Sequence, residues 1–475
     1  MLVPKYVLLL SILVAGAATD SRPALKPVQR SRQADVAHAP LVPHEVAHEI
    51  TPLEDDNHKA HLQTNGEAMV NLINNCLGSG MLCMGFALAN AGLLASVLCI
   101  LLSAFVNRYT LHLNLRTCEL AGCSPATADV ADKAFGPIGR ISMVTLYTAF
   151  SFICCVSYVV ASADAVRGLC SLALSRSGRP LPSSAAITLF CWVSLLLPTT
   201  LIRSLRSVAT LSFCAFMGGV VLLVSVAVYC ASELLRSGLP SLSKLAWLPP
   251  SRRSFATALP ILLLVFSIQA GGGIVLSEMR DSSEANAKRV SRDAYLIVLG
   301  MECAIGLIAY CTFLDKTKGN VLLDFSPYSP VAVVARLALL TLVVLSYMIM
   351  MLPCKLSLID LLFGRNEARM EATPLQFYGT TLAVNLLALA AALCVSDLSL
   401  VNGLNGAICT NIVAFLLPAA LFLKVRSEPA LVGKRGKDAV VAIWSPANAP
   451  YFLILIFGVA SLAVSTQQML VLLRS

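Results

Sequence analysis

The chain is 475 residues long, 57% hydrophobic and only 13% charged, with a mean hydropathy of +0.78. That balance excludes an ordinary soluble globular protein and predicts a polytopic membrane protein. A net charge of +9 does not imply nucleic acid, because the cations lie mainly in short loops between apolar stretches and form no clustered basic face.

In chain order, Lys5 precedes an apolar core, Tyr6 to Ala15, and the small residues Gly16-Ala17-Ala18. Residues 1–18 therefore read as a signal peptide with cleavage near Ala17 or Ala18, or as a membrane anchor. Residues 19–67 are rich in proline, alanine, histidine and charge, and are expected to form a disordered N-terminal tail. The tail histidines, His38, His44, His48, His58 and His61, show no fixed ligand spacing, so a metal site is not expected there. A leader followed by a basic, acid-poor stretch also fits a plastid-type address.

Residues 68–475 are expected to form one transmembrane domain of eleven helices. A window of about 20 residues, the length that crosses the hydrocarbon, places them near 69–91, 93–113, 138–163, 185–202, 207–234, 255–277, 293–314, 329–353, 374–396, 399–424 and 449–472. Pro182, Pro249-Pro250, Pro327, Pro330 and Pro446 punctuate the connections, as residues that cannot continue a helix should. If the residues before the first span are cytoplasmic, the inner connections hold 18 Lys and Arg and the outer ones 10, which favours that orientation. Signal cleavage would put the tail outside, so both topologies stay open. The sixteen cysteines lie mostly within apolar spans (Cys154, Cys155, Cys214, Cys303, Cys394, Cys409) and read as small packing residues.

The most informative stretch opens the first span: Asn71-Leu72-Ile73-Asn74-Asn75-Cys76-Leu77-Gly78-Ser79-Gly80. A bilayer tolerates open backbone only where it lines an enclosed cavity. A polar, glycine-broken run near the midplane therefore predicts half of a site for a small zwitterion and a cation. The sixth span carries a second break, Gly271-Gly272-Gly273, just after Ser267 and Gln269. Three glycines weaken a helix by roughly 2 to 3 kcal/mol, more than close packing alone requires. Freed amides around Gly78, Ser79 and Gly80, with Asn75 beside them, suit a carboxylate. Carbonyls near Ser267, Ile268 and Gln269 suit an ammonium group, and the bare Gly271 and Gly272 leave room for the ligand. With no obvious acidic partner at either break, a neutral side chain is expected on the substrate, a cationic one being the alternative.

Ionisable residues inside spans cost about 2.5 to 3.5 kcal/mol at the bilayer centre, which makes them functional candidates. Glu302 in the seventh span is a proton acceptor or the partner of a lysine or arginine. Asp164 is expected to face an aqueous vestibule or to pair with Arg167, and Glu278 to act as a gate, a cap or a solvated surface group.

From the first break through Ala87, Ala89, Asn90 and Gly92 to Leu115-Arg116-Thr117, the sequence resembles the amino acid/auxin permease family, most of all its sodium-coupled neutral amino acid transporters. The matching first-helix run is Asn74, Gly78, Ser79 and Gly80. The resemblance continues through Lys133-Ala134-Phe135-Gly136, Ser157-Tyr158-Val159-Val160, Val265-Phe266-Ser267 to Glu278-Met279-Arg280, Leu352-Pro353-Cys354-Lys355 and Gly406 to Pro418, covering roughly residues 68 to 472. It implies an all-α LeuT-like arrangement: a 5+5 inverted repeat plus an eleventh helix, with helices 1 and 6 discontinuous. It also implies secondary active amino acid transport by alternating access, coupled to sodium or protons, in the plasma membrane or in a vacuolar or lysosomal endomembrane. Carried over by position, sodium would lie between Asn74 and Ser346, which replaces a family threonine, with Thr341 as the weaker alternative. No enzyme activity, cofactor or nucleic-acid partner is expected beyond the coupling ion, the amino acid and the bilayer. A Gly-x-x-x-x-Gly-Lys-Ser/Thr loop is absent, against an ATP-driven pump. An amino-acid sensor with the same fold and a passive channel are the competing functions.

Overall fold

A computed structural model of the protein describes residues 62–123, 127–175, 180–201, 208–363, 373–433 and 440–474. The signal-like segment, the tail to residue 61 and its histidines lie outside the described residues. Within them the architecture is helical, and extended pairing is limited to an isolated bridge between Gln63 and Met279.

The first helix, α1 (Asn65–Cys76), starts four residues before the expected span because a capping box fixes it there. The Thr64 hydroxyl accepts from the Glu67 amide, and the Glu67 carboxylate accepts from the Thr64 amide at 2.7 Å. Beyond Cys76 the helix opens. A 3-10 turn, Ser79–Cys83, leads into α2 (Met84–Ala91), and the two halves meet at 47°. Gly92, at φ +76°, then reverses the chain into α3 (Leu93–Ala121). A Cβ there would fall 2.5 Å from the Leu248 backbone, so the turn admits only glycine.

Helix α4 (Thr127–Ser175) departs from expectation. Lys133 to Gly136, expected in a loop, belong to a first helical segment that ends where Gly136 adopts φ 67° and Pro137 begins the long segment. The series continues with α5 (Ser184–Thr200), which contains one π turn at Trp192–Leu196, and α6 (Val208–Ser237). The sixth span consists of two pieces, α7 (Arg252–Leu264) and α8 (Gly272–Ser277), joined by an irregular link. Then come α9 (Glu284–Phe313), α10 (Pro330–Phe363), α11 (Pro374–Cys394), α12 (Leu398–Ser427) and α13 (Ala449–Arg474). Eight of these helices are long and apolar enough to cross a membrane, and the bent α1/α2 pair makes nine. Short α5 and the divided α7/α8 account for the remaining two expected spans.

Burial sorts the helices. In α10 and α12, 72% of the apolar window is buried inside the protein, against 22% in α13, which therefore lies at the lipid-facing periphery. Helix α10 packs most extensively on α4 and α6. The broken α1/α2 is enclosed by α6, α7 and α9, so both interruptions sit in protein, where open backbone is tolerated.

Candidate functional site: two broken helices face to face

The last regular bond of α1 runs from the Leu77 amide to the Ile73 carbonyl at 2.8 Å. Gly78 is then extended, at φ −152° and ψ −154°, and the amides of Gly78, Ser79 and Gly80 meet no backbone carbonyl among the described residues. These donors sit at the start of a helical segment, where negative charge is favoured.

The second break lies against the first. A Cβ at Gly80 would stand 3.0 Å from Val265 Cγ1, and one at Gly271 would stand 3.7 Å from Asn75 Oδ1. Gly78 faces α4, where its missing side chain admits the Tyr158 hydroxyl: a Cβ would come within 2.8 Å of it. The predicted residues Asn75, Gly78, Gly80 and Gly271 are thus brought together. Gly272 is different, since its Cβ would meet Ile268 and Leu111 at 3.1 Å, and its small size serves helix packing.

Side chains at the second break fix the position of its backbone. The Gln269 amide donates to the Asn107 carbonyl, Asn107 Oδ1 and Thr110 Oγ1, each at 3.1 Å, and Gln269 Oε1 accepts from Ser267 at 3.2 Å. These bonds pin the irregular link to α3. The Ile268 carbonyl, expected to be free, is taken by the Gly271 and Gly272 amides at 3.1 and 2.7 Å, and Phe266 accepts from the Tyr295 hydroxyl at 3.1 Å. The carbonyls of Val265, Ser267 and Gln269 have no hydrogen-bond donor among the described residues.

Ser79 is buried and tied to two neighbours. Its hydroxyl lies 2.7 Å from Ser157 Oγ on α4 and donates to Asn402 Oδ1 on α12 at 3.2 Å. Tyr158 and Asn402 were not among the residues singled out from sequence for the site. A polar Asn402 inside an apolar span was the available signal, but only the fold shows which break it meets.

Asn74 and Ser346 are both buried and adjacent, the serine hydroxyl donating to Asn74 Oδ1 at 3.4 Å. Neutral oxygens of this kind suit a hard monovalent cation. Thr341 instead bonds the Leu337 carbonyl of its own helix and packs near Gly218. Glu302 is fully buried, and neither carboxylate oxygen has a hydrogen-bond partner. The expected lysine or arginine partner is not found among the described residues. Its helix face is that of the first break: neighbouring Met301 and Leu77 converge around Gly219, and Gly306, one turn on, accommodates Met84 and Leu88.

Asp164 accepts from Asn320 at 2.9 Å and makes no ion pair with Arg167. Glu278 accepts from the Gln63 side chain at 3.1 Å, while Gln63 bonds the Glu278 carbonyl and the Arg280 amide through its backbone. This short clasp ties the segment just before α1 to the end of α8. A cavity of about 310 Å³ extends from Gln269, Ala270 and Gly273 to Arg140 and Asp360. Those two side chains form an ion pair between α4 and α10.

Residues 61–471 match the family model described as transmembrane amino acid transporter protein. The chain belongs to that family. Among its relatives, the putative sodium-coupled neutral amino acid transporter 11 of Mus musculus is 22% identical over 373 residues, 76% of this chain and 78% of that protein. Solute carrier family 38 member 10 of Mus musculus is 22% identical over 79% of this chain, which spans only 34% of that longer protein. The crystal structure of MhsT in complex with L-phenylalanine superposes with a TM-score of 0.57 at 11% identity, covering 85% of this chain and 98% of that one. This last likeness concerns the fold, which is of the LeuT type with discontinuous first and sixth helices. The family and its relatives are transporters, not enzymes.

Proposed function

We propose that the protein carries small neutral amino acids across a membrane by alternating access, with uptake coupled to sodium or protons. The observation that supports this most is the meeting of two open backbones in the protein interior, one offering amides and the other carbonyls. The amides of Gly78, Ser79 and Gly80, with the Tyr158 hydroxyl beside them, would receive the carboxylate. The unfilled carbonyls of Val265, Ser267 and Gln269 would receive the ammonium group. Neither contact needs a charged side chain: among the described residues Glu302 lies on the face of the first break, and Arg140 and Asp360, in the cavity that reaches the second, neutralise each other as an ion pair, which favours a substrate of no net charge.

Two places qualify for the coupling cation. Sodium would be held by Asn74 Oδ1 and Ser346 Oγ, while a proton would reside on Glu302, whose carboxylate is buried without a partner. Either ion brings in the membrane potential, about 2.3 kcal/mol per charge for each 100 mV. The clasp between Gln63 and Glu278 would make α1 and α8 move as one element while the site changes its opening.

Uptake of a labelled mixture of neutral amino acids into proteoliposomes, under an imposed sodium or proton gradient, tests the reading. Accumulation above equilibrium driven by one gradient supports it. Binding without accumulation would mean a sensor, and dissipative flux without gradient dependence would mean a channel.

A further inference from the structure

A second cavity, of about 360 Å³, lies away from the two breaks themselves, between α3, the far end of α8, the start of α9 and Tyr451 of peripheral α13. Its α3 wall changes character along one helical stripe. Phe105, 69% exposed, and Tyr109 come first, then His112 and Arg116, at the three- and four-residue steps that share a helix face. The rings of Phe105, Tyr109 and Tyr451 form a column with 6.5 Å between successive centroids. Aromatic rings of this kind mark the level where hydrocarbon gives way to headgroups.

From the level of Tyr109 onward the cavity is lined by cations. Arg108, Arg116 and Lys288 line it together with Glu119 and Glu284. Lys288 reaches Glu284 at 2.5 Å, an exposed pair one turn apart, but neither arginine has a carboxylate partner among the described residues. Arg108 donates to the Lys288 carbonyl at 2.9 Å and keeps its Nε buried without an acceptor. Arg116 stands 6.0 Å over the Phe422 ring. Two guanidinium groups without a carboxylate partner among the described residues and an ammonium, beside a ring column whose Phe105 and Tyr109 are exposed and whose Tyr451 is buried, match an anionic phosphate carried on an acyl tail.

We propose that this cavity binds the phosphate headgroup of an anionic membrane lipid, from the leaflet at the end of the bundle where α3 ends and α9 begins. The headgroup would sit between Arg108, Arg116 and Lys288, with its glycerol and upper chain along Phe105 and Tyr109. Leu276 and Ser277 of α8 form part of the wall, so the bound lipid would rest on the second piece of the second broken helix. The binding proposal does not depend on the transport reading.

The test is thermal unfolding of the purified protein in micelles with added phosphatidylserine, phosphatidylcholine of the same chains, or inorganic phosphate at matched ionic strength. Wild type is compared with Arg108→Gln/Lys288→Gln and with Arg167→Gln, an exposed cation at the opposite end. The expected result is a saturable rise in the unfolding midpoint of roughly 2 to 4 °C with phosphatidylserine alone, present in wild type and Arg167→Gln and lost in the double variant. An equal rise with phosphatidylcholine, or its persistence in the double variant, would overturn the proposal. The full rise with inorganic phosphate would overturn the lipid source. If the double variant does not fold, Arg116→Gln and charge-preserving Lys288→Arg take its place. Loss in the first and retention in the second support the assignment, and the reverse refutes it.

Discussion

Replacing Gly78 by alanine adds one methyl group where the structure has no room for it. The new Cβ would stand 2.8 Å from the Tyr158 hydroxyl oxygen and 3.2 and 3.4 Å from two ring carbons. Tyr158 is only 4% exposed, so its ring cannot swing aside without displacing α4 or the open segment. Gly78 has an extended backbone, which alanine adopts without strain, and the cost is therefore one of packing. Overfilling a close-packed interior by a methyl group costs about 1 to 3 kcal/mol. If that strain falls on the bound state, amino acid affinity drops by roughly 5- to 150-fold. The assay is saturation of labelled amino acid binding together with thermal stability in detergent. Gly78→Ala/Tyr158→Phe removes the shortest contact, so it should recover stability while binding stays weak, because the proposed carboxylate donor is gone. Unaltered binding in Gly78→Ala would refute the placement, and full recovery of binding in the double variant would remove the hydroxyl from the site.

Other expectations follow from the same geometry. Gln269→Leu severs three hydrogen bonds to α3 and should destabilise the protein by about 1 to 2 kcal/mol, read as a lower unfolding temperature; wild-type stability would show that the link is not held by this side chain. Under the proton reading, Glu302→Gln abolishes the pH dependence of uptake and its response to a proton gradient while exchange of substrate across the membrane persists. Unchanged proton coupling would leave the sodium reading, for which Ser346→Ala is expected to raise the sodium concentration required for half-maximal uptake.

The order of the spans was legible because most apolar windows are long and bounded by proline, glycine or charge, whereas among the described residues eight helices, or nine with the bent α1/α2 pair, are long and apolar enough to cross, fewer than the eleven expected. Both interruptions were legible too, since a glycine cluster next to asparagine or glutamine in a membrane-length segment has few structural uses. What sequence could not supply is direction. The Gln269 carbonyl stays open as the glycine break suggested, but its side chain turns to Asn107 and Thr110, because a buried amide needs partners and α3 provides them. Ile268 likewise looked like a free carbonyl until the link folded back on itself. Asn402 and Tyr158 reach Ser79 and Gly78 from distant parts of the chain, a proximity that periodicity within one helix does not encode. The start of α4 was missed because Asp129, Asp132 and Lys133 carry too much charge for a membrane window, although the segment is helical up to the turn at Gly136.

The central claim is that the unpaired main-chain groups of two facing breaks hold the amino acid. Saturable binding of labelled neutral amino acids to the purified protein, compared between wild type and Gly80→Val, tests it most directly. The valine side chain would drive into Val265, whose Cγ1 is already 3.0 Å from where a Cβ would stand. The account predicts that binding is lost while the variant still folds and unfolds cooperatively. Wild-type affinity in a folded Gly80→Val protein would contradict it.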